Sequence, residues 1–217
     1  MMRRRTAILI SGRGSNMAAL IAAARDPTYP TDIALVVSNR PRAPGLERAR
    51  ASGIPTTVVE HTAHGQDREA FERALQAEIA ARQIDILCLA GFMRLFTPWF
   101  VGQWTGRMLN IHPSLLPSFK GLDTHRRALR AGVKIHGATV HLVVPEADAG
   151  PIVAQGAIAV HEDDTAETLA ERVLALEHRL YPPALALMAA GRLRFVDGRC
   201  LISGGSAPED ALIVPGF

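Results

Sequence analysis

Short β-branched and apolar runs recur along the chain near residues 6–10, 33–37, 56–59 and 84–90, each separated from the next by a longer segment with helical spacing. This alternation constrains the fold more than any single residue does. Strands that alternate with helices satisfy their backbone and cover both faces as a mostly parallel sheet. The expected class is therefore α/β: a single-domain, Rossmann-like, mostly parallel twisted sheet with helices on both faces. Its 217 residues, 48% hydrophobic and 21% charged, allow a substantial core. No composition shift or polar linker divides the chain, so residues 1–203 read as one domain and 204–217 as a C-terminal surface tail.

Later segments depart from the parallel pattern. Residues 135–144 alternate at period two, and a second strand spans about 152–160; the short connection between them predicts an antiparallel addition to a sheet edge. A long helix is expected over about 166–190, capped by the stretch His161-Glu162-Asp163-Asp164-Thr165, with Pro182-Pro183 kinking or dividing it. Residues 192–196 and 198–202 read as a hairpin. Residues 67–82 form an amphipathic helix whose polar face carries Arg68, Glu69, Glu72 and Arg73, charges that solvation explains.

Charge and cysteine usage narrow the class of protein. A formal net charge of +3 and a pI near 9.3 tilt the surface towards anionic partners, a phosphorylated small molecule as readily as nucleic acid. Two cysteines, Cys88 and Cys200, give no disulfide framework and fit a reducing cytoplasm. Arg3-Arg4-Arg5 precedes an apolar run that stops at Ser11-Gly12-Arg13, which makes it a first strand and not an export signal. No window approaches the roughly 20 apolar residues of a membrane span.

Several stretches carry candidate chemistry. After the first strand, Ser11-Gly12-Arg13-Gly14-Ser15-Asn16 opens a helix through Met17, Leu20, Ile21 and Ala24. Glycines let backbone approach a ligand and a helix start offers free N–H groups to an anion, so the loop reads either as a phosphate site or as a tight turn. No acidic residue follows the second strand at Ser38-Asn39-Arg40-Pro41, which argues against a nicotinamide dinucleotide. His61 and His64 have no third ligand nearby and read as a solvated loop. The run 84–90 ends in Gly91-Phe92-Met93-Arg94-Leu95-Phe96, an apolar loop that suits either a pocket wall or core packing. Met108-Leu109 leads into Asn110-Ile111-His112-Pro113, followed by Pro117. If extended geometry persists to position 112, Asn110 and His112 face one side: an amide able to donate to a developing oxyanion, beside an imidazole able to carry a proton. The other reading is a plain turn in which the Asn bonds backbone and the His is partly solvated. His141 reads either as part of that site or as a satisfied buried histidine. Asp123 or Thr124 is the candidate cap of the helix through Leu129. The loop 145–151 bears two carboxylates, Glu146 and Asp148.

Taken together in order, residues 11–16, 89–94, 109–117, 136–141, 148–151 and 177–182 resemble the folate-dependent phosphoribosylglycinamide formyltransferases of purine synthesis, over about residues 6–200. The resemblance implies a formyltransferase-type sheet of about seven strands and transfer of a formyl group from 10-formyltetrahydrofolate to the amine of glycinamide ribonucleotide. It further implies that Gly14, Ser15 and Asn16 hold the substrate phosphate and Glu177 contacts its ribose. Arg68, Met93, Arg94, Leu95 and Phe96, with Asn110, would line the folate side. Asn110, His112 and Asp148 would be catalytic, with no metal; Asp148 would stabilise the imidazolium and help relay a proton through water. Expected partners are small-molecule substrates, with neither nucleic acid nor membrane, in a monomer or homodimer. Arg13 stands where the family often has Asn, and Phe119-Lys120-Gly121 replaces a frequent aromatic-Pro-Gly. Rival readings are methionyl-tRNA formyltransferase, which resembles a longer chain with an RNA-binding domain, formyltetrahydrofolate hydrolase, and a nucleotide-binding sensor without catalysis.

Overall fold

The first strand, β1 (Arg4–Ile10), becomes buried from Thr6 onward, and its side chains divide by parity. Ile8 and Ile10 pack on one face with Met17, Leu20, Val36, Tyr181 and Leu185. Ala7 and Leu9 pack on the other with Leu35, Leu75, Ile79 and Phe100. A strand covered on both sides is apolar at every position, which is why the run is continuous rather than alternating. The computed structural model describes residues 3–204 together with 212 and 214; the rest of the tail expected over 204–217 lies outside the described residues.

From β1 the chain builds outward through α1 (Ser15–Ala24), β2 (Thr31–Ser38), α2 (Pro44–Ala51) and β3 (Thr56–Val58). It then returns through α3 (Arg68–Ala80) to β4 (Ile86–Leu89), α4 (Pro98–Gln103) and β5 (Met108–His112). After α5 (Thr124–Arg130), β6 (Ile135–Leu142) and β7 (Ile152–Ala159) complete a seven-stranded sheet ordered β3-β2-β1-β4-β5-β6-β7. Strands β1 to β5 pair parallel, whereas β5–β6 and β6–β7 are antiparallel, the second of these as its short connection predicts. The order reverses between β1 and β4. Outside the carboxyl ends of such a pair lies the crevice where open α/β sheets bind ligands.

Helix α6 (Ala166–Ala189) begins at a capping box between Thr165 and Thr168 and is followed by the hairpin β8 (Leu193–Val196) and β9 (Arg199–Ile202). Of the two expected effects of Pro182 and Pro183, a kink or a division, division does not occur: one helix runs through both. Proline's fixed φ suits a helix even where its missing N–H does not. The apolar face also continues past the pair: Tyr181, Ala184, Leu185 and Ala189 stay buried, and the Tyr29 hydroxyl donates to Pro182 O at 2.6 Å. The cap of α5 falls on one of the two expected residues but lacks the expected bond. Asp123 stands at the N-cap with φ 56°, and neither its side chain nor that of Thr124 makes a capping bond.

Candidate active site

Strand β5 stays extended through His112, so Asn110 and His112 share the face opposite Leu109 and Ile111. Antiparallel register sets His141 of β6 directly across from Asn110, and Thr139 across from His112. The Nδ1–H of His141 donates to Leu142 O at 2.8 Å, which makes its Nε2 an acceptor; that nitrogen lies 3.1 Å from Asn110 Nδ2. Burial holds the His141 pKa below the ordinary value, against the opposing pull of the Leu142 bond and Asp148, and the ring is neutral. One of the two Asn110 amide hydrogens is thereby fixed on His141, and the second remains for a ligand oxygen. His141 is thus both a satisfied buried histidine and the partner that orients the Asn110 amide.

Asp148 reaches this pair from the loop between β6 and β7, with a left-handed φ of 51°. Its Oδ1 lies 3.5 Å from His112 Nδ1 and 3.8 Å from His141 Nε2. Its Oδ2 accepts from Gly121 N at 2.8 Å, tying its loop to the segment after β5. His112 Nε2 lies 3.0 Å from Phe119 O, the geometry of an N–H donating to a carbonyl. A proton added to Nδ1 would face the Asp148 carboxylate. Thr139 and Gln155 hold the intervening loop from beneath: Leu116 N donates to Thr139 Oγ1 at 3.0 Å, and Gln155 Nε2 donates to Leu116 O at 2.8 Å. Behind the loop, His125 and His136 pack edge to face at 5.4 Å. Burial, with neighbouring imidazoles second, lowers the pKa of both, that of His136 to about 4. At neutral pH both are uncharged.

The glycine loop lies at the end of β1. Gly14 is the N-cap of α1 at φ 69°, no side chain caps this helix start, and no carboxylate occupies its first turn. The N–H groups there and the positive end of the helix dipole suit an anion. Gly45 forces the loop's shape: it donates to Gly12 O at 3.0 Å, and a Cβ on it would come within 2.5 Å of Ile10 Cδ1 and 3.0 Å of Gly12 O. Asn16 donates from Nδ2 to Glu177 Oε2 at 2.6 Å, so the two residues meet before any ligand is considered. Burial raises the Glu177 pKa and the Asn16 bond partly offsets it. Asn16 Oδ1 is buried with no partner among the described residues.

The loop after β4 starts beside Asn110, because Leu89 and Asn110 pair across β4 and β5. Ser11 joins it to the glycine loop: its N–H donates to Gly91 O at 3.1 Å, and its hydroxyl accepts from Met93 N at 2.8 Å. Met93 and Leu95 are 61% and 67% exposed, and Arg94 is half-buried. Phe96 corrects the expectation of a ligand-facing side chain: its ring is in the core, stacked between Phe92 and Phe100 with centroids 5.3 and 4.3 Å away. It can offer a ligand only backbone. Arg68 donates to Leu95 O. Glu72 is also a correction, because it is buried against Thr97 rather than solvated.

Gly45, Thr139 and Gln155 carry no signal in the sequence that marks them as part of a site. Gly45 follows Pro44 at a helix start, a placement no different from a plain turn glycine. Among the described residues, no three His, Cys, Asp or Glu side chains are grouped so as to hold a metal ion, and no helix is long and apolar enough to cross a membrane.

Residues 4–185 match the family described as Formyl transferase. The chain is 42% identical to a phosphoribosylglycinamide formyltransferase of Escherichia coli (strain K12), covering 93% of this chain and 94% of that protein. It is 48% identical over 192 residues to the trifunctional purine biosynthetic protein adenosine-3 of Bos taurus, covering 88% of this chain but only 19% of that much longer protein. The crystal structure of glycinamide ribonucleotide transformylase 1 from Symbiobacterium toebii superposes with a TM-score of 0.90 at 44% identity, covering 93% and 94% of the two chains. With these matches running nearly end to end, the chain belongs to the formyl transferase family.

Proposed function

We propose that the protein transfers the formyl group of 10-formyltetrahydrofolate to the amine of glycinamide ribonucleotide, giving formylglycinamide ribonucleotide and tetrahydrofolate in de novo purine biosynthesis. The observation that carries the proposal is the placement of Asp148 3.5 Å from His112 while His141 fixes the Asn110 amide. The match to a formyltransferase that covers 93% of this chain and 94% of that protein supports it. The start of α1 at Gly14, Ser15 and Asn16 is suited to the substrate phosphate, with Glu177 beside Asn16 for the ribose. The exposed Met93 and Leu95, with Arg68 and Arg94 adjacent, suit the flat ring and acidic portion of a folate.

The neutral amine attacks the formyl carbon, forming a C–N bond as the carbonyl electron pair moves onto oxygen. The free Asn110 amide hydrogen donates to that oxyanion, and a protonated His112, its two N–H groups facing Phe119 O and Asp148, stabilises it through its charge. As the bond from carbon to the folate N10 breaks, the proton leaving the attacking nitrogen passes to N10, with Asp148, His112 and water as the relay. Holding both substrates together supplies much of the rate gain without a covalent enzyme intermediate.

The test is an assay with glycinamide ribonucleotide and the formyl folate, following tetrahydrofolate with and without the amine. Release only in the presence of the amine is expected. Release without it identifies a hydrolase, and no release from a protein that binds both ligands identifies a sensor. Ser15→Asp, which places a negative charge at the proposed phosphate site, raises the KM for the ribonucleotide by the equivalent of about 1–3 kcal/mol. An unchanged value removes the phosphate-loop assignment.

A further inference from the structure

The loop after β4 is held at two points by helix α3. Glu72 sits mid-helix, is 1% exposed, and has no salt-bridge partner among the described residues. Both of its carboxylate oxygens accept from one residue, Thr97: Oε1 from the backbone N–H at 2.7 Å and Oε2 from the hydroxyl. Thr97 is the N-cap of α4, so this contact determines where the loop ends. Arg68, one turn earlier on α3, donates to Leu95 O. Between the two anchors the Phe96 ring is stacked into the core. The outward-facing remainder is the exposed pair Met93 and Leu95.

Burying a carboxylate without a cation is costly, and a neutral side chain could cap Thr97 with less desolvation. The carboxylate differs from a neutral cap in making two strong, geometrically fixed, charge-assisted bonds to a single residue.

We infer that Glu72 is a positioning residue for the formyl donor: by clamping Thr97, it sets how Met93 and Leu95 are offered to the substrate's flat apolar ring. The inference rests on the assignment of this loop to the donor side. Without the clamp the loop samples other arrangements, and apparent donor affinity falls in proportion to the competent fraction.

The experiment uses the full chain with Glu72→Gln, Thr97→Val and Thr97→Ser, and Leu95→Asp as a reference. Glu72→Gln and Thr97→Val each raise the KM for the formyl folate roughly 3–30-fold, with kcat and the ribonucleotide KM held within about twofold. Thr97→Ser, which keeps the hydroxyl, stays within about twofold of the parent on every parameter. A lowered thermal midpoint with an unchanged donor KM overturns the inference, as does an equal rise in both KM values. Should Glu72→Gln fail to fold, Thr97→Val decides alone. If Leu95→Asp raises the donor KM while the clamp variants do not, only the clamp is wrong; if Leu95→Asp leaves it unchanged, the loop is not the donor surface and both ideas fall.

Discussion

The two halves of the sheet present chemistry in different ways. On the parallel side, β3-β2-β1-β4, each strand ends at the same edge and delivers a loop, so the groups offered there are largely backbone: the helix start at Gly14 and the loop after β4. On the antiparallel side, β5-β6-β7, neighbouring strands run past one another, so side chains from mid-strand and from a connecting loop converge. Asn110 and His141 meet by register, and Asp148 arrives from the turn. Parallel pairing suits binding of anions by N–H groups, whereas antiparallel pairing can set an amide, an imidazole and a carboxylate within a few ångströms.

Asp148→Asn breaks the antiparallel side most severely. Asparagine tolerates the left-handed backbone at this position and can still accept from Gly121, so the loop keeps its shape. The charge facing His112 is lost. Under saturating substrates at neutral pH, kcat falls by roughly 10²–10⁴, the range for a displaced proton transfer, with a thermal midpoint close to the parent's. A slow enzyme that is also largely unfolded would instead make Asp148 structural.

Gly45→Ala is the corresponding insult to the parallel side. Its Cβ would press on Ile10 Cδ1 at 2.5 Å and on Gly12 O at 3.0 Å, and the loop must shift to admit it. Overpacking of this kind costs about 1–3 kcal/mol, so the ribonucleotide KM rises roughly tenfold while the donor KM holds. An unchanged KM would mean that the glycine loop's shape does not govern phosphate binding.

How much of this was legible follows the same divide. Continuous apolar runs such as Ala7–Ile10 identify buried parallel strands without knowledge of their partners, and the period of two placed Asn110 and His112 together. What a strand faces across a ladder is not local information: the bond between Asn110 and His141 requires the β5–β6 register, which separates residues 31 apart. Helical periodicity assigns Glu72 to a polar face, and only the fold brings Thr97 against it. Phe96 was open to two readings because an apolar residue in a loop looks alike whether it lines a pocket or fills a core. That the proline pair leaves α6 undivided is not local information either, because the packing that holds the helix on both sides of the pair comes from other elements.

The seam between the halves is tested by Tyr181→Phe. The Tyr181 hydroxyl lies 3.1 Å from both Leu89 O on β4 and Leu109 O on β5, spanning the last parallel pair. Burial raises the pKa of this phenol and takes the adjacent Cys88 thiol to about 12, so both are neutral. Removing a shared neutral hydrogen bond lowers stability by about 1 kcal/mol in denaturant titration, with kcat within about twofold of the parent. A large loss of kcat would show that the seam sets the catalytic geometry of the antiparallel side as well as its stability.

The smallest effect belongs to the other carboxylate of the Asp148 loop. Glu146 Oε1 pairs with Lys120 Nζ at 3.1 Å, and the side chains are 76% and 39% exposed. This bridges the same two loops as the bond between Asp148 and Gly121, but in water. Exposed pairs of long side chains contribute about 0–1 kcal/mol and weaken with added salt. Glu146→Gln therefore leaves kcat within about twofold of the parent, and any shift in the thermal midpoint shrinks further as ionic strength is raised. The contrast with Asp148→Asn is the informative quantity, because two carboxylates two residues apart contact the same pair of loops and differ in burial and in the imidazole that one of them faces. Equal losses of kcat in the two variants would mean that joining the loops, rather than placing a charge beside His112, is what the segment contributes.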